Sequence, residues 1–499
     1  MNTADKTYKS SPKRFRMPVC DKVISTEISN DYTLPDYLPE IRRILRVSAS
    51  PMPPAKYISG SSAEFSGSID YSLLYVGADG AMHSAPLAAE YSFNAPLELT
   101  SDFDLGEGVI TVCKINEDSL TTRVSAPRKL NIKCRLSARV KASCMMVAEE
   151  KILGEVNEDS IEELCEERLS VFPASLTGDI LELSASFPTS DESTRVADAS
   201  ASAVIHSVSA KDGYADYSGE LLLTLLVCNE ENVGGVEKLQ KKLPFSDRVS
   251  ADEISAQEVA SMCIYISDIN VNIEDSKILC SVNLLPEVTL YKPSQINYTR
   301  DLFSTEKRCE GEYTSYPIPT LLSNAAGNFS QSERIPLAET PIPHGSSVLD
   351  IKCKPYIEKA ERDRSKHIIS GNCKYSLLLE CDGDLSTYEL ALPFRYECDG
   401  PDSDVKEYDT DVCPLSTLSR IDGGNLCIDT ELSVSTRFLG EEEMTAISTA
   451  RFGEDISRAS GEIIICYPAP DDTVWSIAKK YAVPVGKISS MANYILINA

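Results

Sequence analysis

The chain is poor in the residues from which most catalytic and metal centres are built. Its 499 residues include only four histidines and one tryptophan, and no two histidines have the HxxxH spacing of a zinc site. P-loop, GxGxxG and GxSxG motifs are missing as well. None of the 16 cysteines forms a CxxC pair, which excludes zinc ribbons and thioredoxin-type redox sites. We therefore expect no enzymatic activity, no cofactor and no metal site.

Long apolar runs and positive charge are also scarce. No window approaches 18 consecutive apolar residues, so no transmembrane helix and no membrane insertion are predicted. The opening stretch, MNTADKTYKSSPKRFRMPVC, lacks the apolar core of a secretory signal. The net charge of −28 repels nucleic acid and anionic membranes, and it suits a basic partner or simply a well-solvated surface. These features predict a cytoplasmic protein with reduced cysteines.

Two acidic stretches are the remaining candidates for a cation site. The CDGD turn at 381–384 and the pair Asp402 and Asp404 could bind a cation loosely, but local hydrogen bonds in solvated turns account for them more simply. His206 and His367 follow strand-like segments, and we expect both at the surface or in turns. An unrecognised enzyme with a site between repeated domains stays an alternative, which would require aligned polar residues in one pocket.

Three segments of the chain align with one another. Each opens with Ser-Gly and closes with Phe, and they span 66–93, 218–245 and 370–394. Their glycines, Gly67, Gly219 and Gly371, recur at a spacing of 152 residues. A second strand-like pair starts at 129, 277 and 425, at a spacing of 148. Such recurrence predicts three copies of one domain of about 150 residues.

The repeated domain is predicted to be rich in β-strands. Short apolar runs such as LLLTLLV are followed by turn sequences such as GADG, CNEEN and CDGD, as in hairpins. The fold class is therefore mostly β, with three tandem antiparallel β-sandwich or barrel-like repeats at 1–145, 146–295 and 296–455. The leading glycines indicate a bulge or a close backbone approach. Cys134 and Cys280 lie in strand-like runs and should be buried.

Two segments have the spacing of helices rather than strands. Thr33 to Val47 places apolar residues three or four positions apart. Residues 160–172 open with Ser160 and Glu163, which match a capping box. We predict short helices in both segments, and linkers near 146–170 and 295–345.

The last 38 residues, 462–499, predict a small separate module. The strand-like run EIIICY precedes Asp472, a suitable N-cap, and a helix with apolar positions 474, 477, 478 and 481 on one face. Ala482 to Pro484 should end that helix. A second short helix at 485–493 and a strand at 494–497 complete a βααβ order.

This module resembles the LysM domain. The resemblance rests on DTVWSIAKKY at 472–481 and on Val485, Ile488 and Asn493. It implies glycan binding in the typical family member, but only six residues follow Asn493, so the second sugar-binding loop of the family is nearly missing. Trp475, the one tryptophan, is either an exposed anchor for a protein partner or packs on the first strand or the third repeat.

The architecture as a whole resembles the SipL-like clostridial spore-envelope family. The residues that carry the resemblance are LPDYLPEIRRILRV, the three Ser-Gly segments and 472–493. It implies a non-enzymatic scaffold or adaptor of spore-coat assembly, in the mother-cell cytoplasm at the forespore surface, whose module binds a SpoIVA-type coat ATPase. The partner-binding residues it implies are Asp472, Thr473, Trp475, Lys479 and Asn493. The alternative is a peptidoglycan-binding protein of the cell wall or spore cortex, which would require export and a complete LysM groove.

Overall fold

Antiparallel β-strands dominate the structure, as predicted. The computed structural model describes residues 13–189, 194–229, 235–457, 463–491 and 494–498. Within these ranges the one α-helix is α1 (Val474–Tyr481), and single turns of 3-10 helix lie at Glu158–Ser160, Leu337–Glu339 and Val485–Lys487. No helix in the described ranges is long and apolar enough to cross a bilayer.

The first strands form two sheets that share one core, and we call this pair sandwich 1. Its strands are β1 (Lys13–Thr33), β2 (Ile41–Pro51), β3 (Ala55–Ser59), β4 (Ser62–Gly77), β5 (Met82–Pro96), β6 (Phe103–Ala126) and β7 (Lys129–Ala148). The first sheet has the strand order β1-β7-β6, with β7 in the centre. In the second sheet the central strand is β4, which pairs with β2 and β3 on one side and with β5 on the other.

The next strands form sandwich 2, again two sheets around one core. The strands that follow β7 are β8 (Lys151–Leu153), β9 (Ile161–Thr177), β10 (Leu181–Pro188), β11 (Thr194–Lys211), β12 (Tyr214–Asn229), β13 (Val236–Ser250), β14 (Val259–Glu274) and β15 (Lys277–Ser304). One sheet has the order β10-β15-β14, with β9 also paired to β15. The other is the meander β11-β12-β13, and β8 lies outside sandwich 2.

Sandwich 3 and a small C-terminal sheet complete the fold. Their strands are β16 (Lys307–Pro336), β17 (Ser347–Asp363), β18 (Lys366–Cys381), β19 (Asp384–Cys398), β20 (Glu407–Asp422), β21 (Asn425–Asp455), β22 (Ile463–Cys466), β23 (Ile488–Met491) and β24 (Tyr494–Asn498). Sandwich 3 combines the sheet β16-β21-β20 with the meander β17-β18-β19. Strand β8 adds to β21 in parallel, and the last sheet has the order β22-β24-β23.

Alternating apolar and polar residues place one face of each strand in a core. In β7, the run LNIKCRLSARV buries Leu130, Ile132 and Cys134 and leaves the residues between them at least partly exposed. Cys134 and Cys280 are both buried, as predicted, and all 16 cysteines carry free thiols. Burial raises the pKa of Cys134 to about 11, so its thiolate is scarce at neutral pH.

The helix predicted between Thr33 and Val47 was wrong. The segment forms a turn followed by β2, which pairs antiparallel with β4. The pairing register shifts between Ile41 and Arg43 and again between Ile44 and Arg46. Each shift inserts an extra residue into the strand, so apolar side chains fall three or four positions apart, as they would in a helix. The helical spacing in the sequence therefore came from two β-bulges.

The helix predicted at 160–172 was also wrong, because this segment forms strand β9 along β15. Ser160 does not cap a helix, and its hydroxyl instead lies 2.9 Å from that of Ser304. Long-range pairing overrode the local pattern. The predicted linkers are likewise occupied by strands. Residues 146–170 hold the end of β7, all of β8 and the first ten residues of β9. Much of 295–345 belongs to the hairpin of β15 and β16.

The recurring glycines are sites of close approach, one of the two interpretations proposed for them. A Cβ on Gly371 would overlap the carbonyl oxygen of Tyr356 and lie 2.9 Å from the ring of Phe394. Gly219 meets a carbonyl oxygen and the ring of Phe245 in the same way. The phenylalanine that closes each of these two segments thus covers the glycine that opens it, because the two residues pair across neighbouring strands.

We predict that Gly371→Ala lowers the free energy of unfolding by about 1–3 kcal/mol, since the added methyl group must displace backbone. Gly453→Ala is the matched control, because the nearest atom to its added Cβ is 4.0 Å away and it also lies in a strand. We expect the control to change stability by about 0.5 kcal/mol or less. Chemical denaturation of both variants measures the difference, and equal effects would contradict the close approach.

Candidate functional site at the C-terminal helix

Helix α1 begins with a capping box at Thr473, one residue after the N-cap predicted from the sequence. The N-cap is Thr473, whose hydroxyl accepts a hydrogen bond from the Ser476 amide at 3.0 Å, while the Ser476 hydroxyl accepts one from the Thr473 amide at 2.9 Å. Asp472, the predicted N-cap, accepts from the Ala469 amide at 2.9 Å and closes the preceding turn. The helix ends as predicted, at Ala482, whose backbone is left-handed.

The inner face of the helix packs on the small C-terminal sheet. Ile477 and Ala478 are buried, as predicted, and Ile477 contacts the buried Val483 and Cys466. Val474 was predicted on the same face, but it is 47% exposed. It occupies the first helical position, which leaves its side chain outside the small core.

The second predicted helix was wrong. After Pro484 the chain makes one 3-10 turn, Val485–Lys487, and then enters β23, which pairs with β24. The order is therefore strand, helix, strand, strand rather than βααβ. Asn493, one of the predicted partner-binding residues, lies outside the described residues.

Trp475 and Lys479 attach the helix to the hairpin of β15 and β16. They are four positions apart, so they lie on one face of the helix. The indole Nε1 of Trp475 donates to Asp301 Oδ2 at 2.9 Å, and its ring meets Phe303 edge-on at 5.0 Å between centroids. The Lys479 ammonium donates to both carboxylate oxygens of Asp301, at 2.6 and 2.8 Å. Tyr313 adds a hydrogen bond to Asp301 Oδ1 at 2.7 Å.

The charges at this contact stabilise each other. Burial opposes ionisation of Asp301, but hydrogen bonds from Lys479, Trp475 and Tyr313 outweigh it and hold the pKa of the carboxyl below its usual value. Burial alone would lower the pKa of Lys479, yet the ion pair with Asp301 raises it overall. Both groups are therefore charged at neutral pH, and the pair is partly shielded from water.

The structure brings two of the predicted residues together and leaves two apart. Trp475 and Lys479 share Asp301, whereas Asp472 and Thr473 are exposed at the start of the helix. The tryptophan thus packs on residues of the region 296–455, the second of the two predicted interpretations. A partner-binding role for these four residues stays a prediction. Sequence reasoning missed Asp301 because no local motif marks it.

Acid is predicted to release the helix from the β-rich body. Because the pKa of Asp301 is depressed, its contribution to docking is present above the ordinary value near 3.8 and is lost as the pH falls through its lower, folded-state pKa. Trp475 is the only tryptophan, so its emission reports docking directly. We expect an emission red-shift below about pH 4 in the wild type. The Asp301→Asn variant has no carboxylate to titrate and lacks the ion pair at every pH, so its emission should be red-shifted already at neutral pH. No difference between variant and wild type would contradict the assignment.

The other candidate groups have structural explanations. His367 was predicted at the surface or in a turn, but it is buried and lies 2.9 Å from the Tyr408 hydroxyl and 3.1 Å from the Pro401 carbonyl oxygen. His206 is exposed, as predicted. Asp384 pairs with Arg43 across 2.7 Å. Over the described ranges, no cluster of three His, Cys, Asp or Glu side chains could hold a metal ion.

A cleft of about 930 Å³ lies between sandwiches 1, 2 and 3. Its charged lining includes both signs, and inside it Arg139 and Lys141 both pair with Glu407.

No family model, no curated protein and no solved structure matches the chain. The function proposed below therefore rests on the sequence resemblance and on the geometry of the C-terminal helix.

Proposed function

We propose that this protein is a non-enzymatic adaptor of spore-envelope assembly, and that its LysM-like C-terminal module binds a SpoIVA-type coat ATPase. The observation that supports this best is the attachment of the helix through Trp475, Lys479 and Asp301. A module fixed on a large body presents its remaining surface in one orientation, which lowers the entropy lost on binding a partner. The location that goes with this role is the mother-cell cytoplasm, at the forespore surface.

The scaffold in this proposal is three tandem copies of one domain, with approximate bounds 1–145, 146–295 and 296–455. In its support, the three sandwiches share one pairing order. In each, an early part of the chain joins the last two strands in one sheet, as β1, β9 with β10, and β16. The strands between them form the other sheet, which has three strands in sandwiches 2 and 3 and a fourth, β3, in sandwich 1. The glycine positions that suggested the repeat from sequence occupy equivalent middle strands, β4, β12 and β18.

The chemistry of the free surface favours a protein partner over a sugar. Asp472, Thr473, Val474 and Lys480 are exposed and mix acidic, hydroxyl, apolar and basic groups within ten residues. The Trp475 ring packs edge-on against Phe303 and its Nε1 donates to Asp301, so part of the indole is already occupied and less of it is free to stack on a sugar ring.

The test uses the full-length protein with two targets, a purified SpoIVA-type ATPase and insoluble peptidoglycan. We expect binding to the ATPase, and a loss of about 10-fold or more in affinity with Val474→Arg, because the variant places a charge at the centre of the proposed interface. Leu418→Arg is the matched control, since Leu418 is equally apolar and 65% exposed on β20. Binding to peptidoglycan alone would overturn the proposal and favour a wall or cortex protein.

A further inference from the structure

Each sandwich carries a β-bulge at an equivalent place in one sheet. We call the strands β2-β4-β5, β11-β12-β13 and β17-β18-β19 the three meanders, and the bulge lies in the first strand of each. The pairing register shifts between Ile44 and Arg46 in β2, between Val196 and Asp198 in β11, and between Val348 and Asp350 in β17. The extra residues are Leu45, Ala197 and Leu349, again 152 positions apart. A bulge redirects a side chain away from the regular alternation of its strand.

The three bulges converge on one apolar cluster. Leu45 and Ala197 are buried in it, and Leu349 packs against it. Three further leucines complete its centre, and they too are spaced by 152 residues: Leu74, Leu226 and Leu378. One strand from each sandwich, β4, β12 and β18, therefore delivers the equivalent side chain to a common point.

The meander sheets also contact one another in a closed cycle. Strand β5 contacts β11, β13 contacts β17, and β19 contacts β2. The third strand of each meander thus meets the first strand of the next meander, and the last sandwich meets the first. Such a cycle has no free end.

Basic side chains bridge all three junctions. Arg195 donates to the Met82 carbonyl oxygen at 2.8 Å between sandwiches 2 and 1. Arg43, 152 positions before Arg195, donates in the same way to the Leu385 carbonyl oxygen between sandwiches 1 and 3. Lys238 pairs with Asp350 at 2.8 Å between sandwiches 2 and 3.

The residue after each bulge is charged and buried. Arg46, Asp198 and Asp350 are 6%, 5% and 5% exposed, and Arg46 pairs with Asp350 at 2.9 Å. In three identical units, this position would repeat one charge three times and the like charges would repel. A single chain can place one arginine against two aspartates, and Lys238 adds a second positive charge by pairing with Asp350.

A second apolar cluster joins the other sheet of each sandwich. Met146 of β7, Ile296 of β15 and Met444 of β21 lie in it together, and these strands are the last in their sandwiches. Both sheets of every sandwich therefore take part in the association.

We propose that the three sandwiches form a closed ring around a pseudo-threefold axis, an intramolecular trimer whose interaction surfaces fit only the neighbouring sandwich of the same chain. The buried charges Arg46, Asp198 and Asp350 balance at the axis once Lys238, which pairs with Asp350, is included. Because every meander edge in the cycle is occupied, a second copy of the chain finds no free ring surface. This inference rests on the three-domain part of the proposed function and is independent of the partner of the C-terminal module.

The test moves the arginine to an equivalent position in the full chain. Arg46→Asp leaves three acids at the axis, and we expect the Tm to fall by about 5 °C or more. Adding Asp198→Arg restores one arginine and two aspartates, and we expect it to recover at least half of the loss. A double variant no more stable than Arg46→Asp would overturn the proposal. The exchange Arg420→Asp with Asp429→Arg is the control at an exposed cross-strand pair, and we expect a negligible shift.

A second measurement does not depend on a charge reversal being tolerated. A protease site inserted in the turn between Thr305 and Glu306 allows the folded chain to be cut between sandwiches 2 and 3. The cut protein should keep the mass of the whole chain in native buffer, as measured by light scattering. Separation into two fragments would overturn the closed ring, while leaving binding of the coat ATPase to be tested on the uncut protein.

Discussion

Replacing Arg437 by methionine is expected to lower the free energy of unfolding by about 3 kcal/mol, because it removes a buried cation from Asp409 and Asp411 and leaves Lys114 alone to balance them. Arg437 is 2% exposed, and its guanidinium hydrogen bonds to Asp411 and lies 3.5 Å from Asp409. Lys114, from sandwich 1, pairs with Asp409 at 2.7 Å, so the cluster also joins two sandwiches. The guanidinium further stacks over the Tyr291 ring of sandwich 2, at 5.5 Å.

The same cluster should make stability depend on pH. Burial opposes ionisation of Asp409, but Lys114 and Arg437 outweigh it and lower its pKa to about 2. Its contribution is therefore complete above the unfolded value near 3.8 and is lost as the pH falls towards 2. In Arg437→Met, the pKa of Asp409 should move back towards 3.8, so the variant should lose less stability than the wild type as the pH falls below 4.

Chemical denaturation between pH 7 and pH 3 measures both effects. Arg420→Met is the control, because Arg420 pairs with Asp429 at the surface and should contribute about 0–1 kcal/mol. If Arg437→Met lowers the free energy of unfolding by no more than Arg420→Met does, the prediction is contradicted. The buried cluster would then stabilise the protein no more than an exposed ion pair.

Truncating a leucine where the three meanders meet should be nearly as damaging. Leu378→Ala is expected to cost about 2–5 kcal/mol, since Leu378 has no exposed surface and the cavity borders three sandwiches. Leu74→Ala and Leu226→Ala should cost similar amounts, because the residues occupy equivalent positions. Leu169→Ala is the control, as Leu169 is exposed on β9. Costs as small as that of the control would contradict a shared core between the meanders.

Local patterns were enough to predict the strands and several of their side chains. Alternation around Cys134 and Cys280 indicated their burial, and the Ser-Gly segments located the central strands. The end of α1 at Ala482 also followed from the sequence, because Pro484 disfavours helical backbone at the residue before it. These features depend on near neighbours in the chain.

The wrong predictions share one cause. The local structure was decided by pairing between residues that are far apart in the sequence. Ile41 and Ile44 are three positions apart, as in a helix, because bulges in β2 insert extra residues relative to its partner strand β4. The surface that holds the helix is centred on Asp301, 174 positions before Trp475, and nothing local connects the two. The 152-residue period was visible, but how the three sandwiches contact one another depends on pairs such as Arg43 and Asp384, 341 positions apart.

The central functional claim is that the free surface of the docked C-terminal helix binds a coat protein. Amide hydrogen exchange of the full-length protein, with and without a SpoIVA-type ATPase, tests it most directly. We predict added protection at residues 472–476, the exposed start of the helix, with Trp475 still docked on Asp301. Formation of the complex with protection confined to the β-sandwiches, and none at 472–476, would contradict the claim.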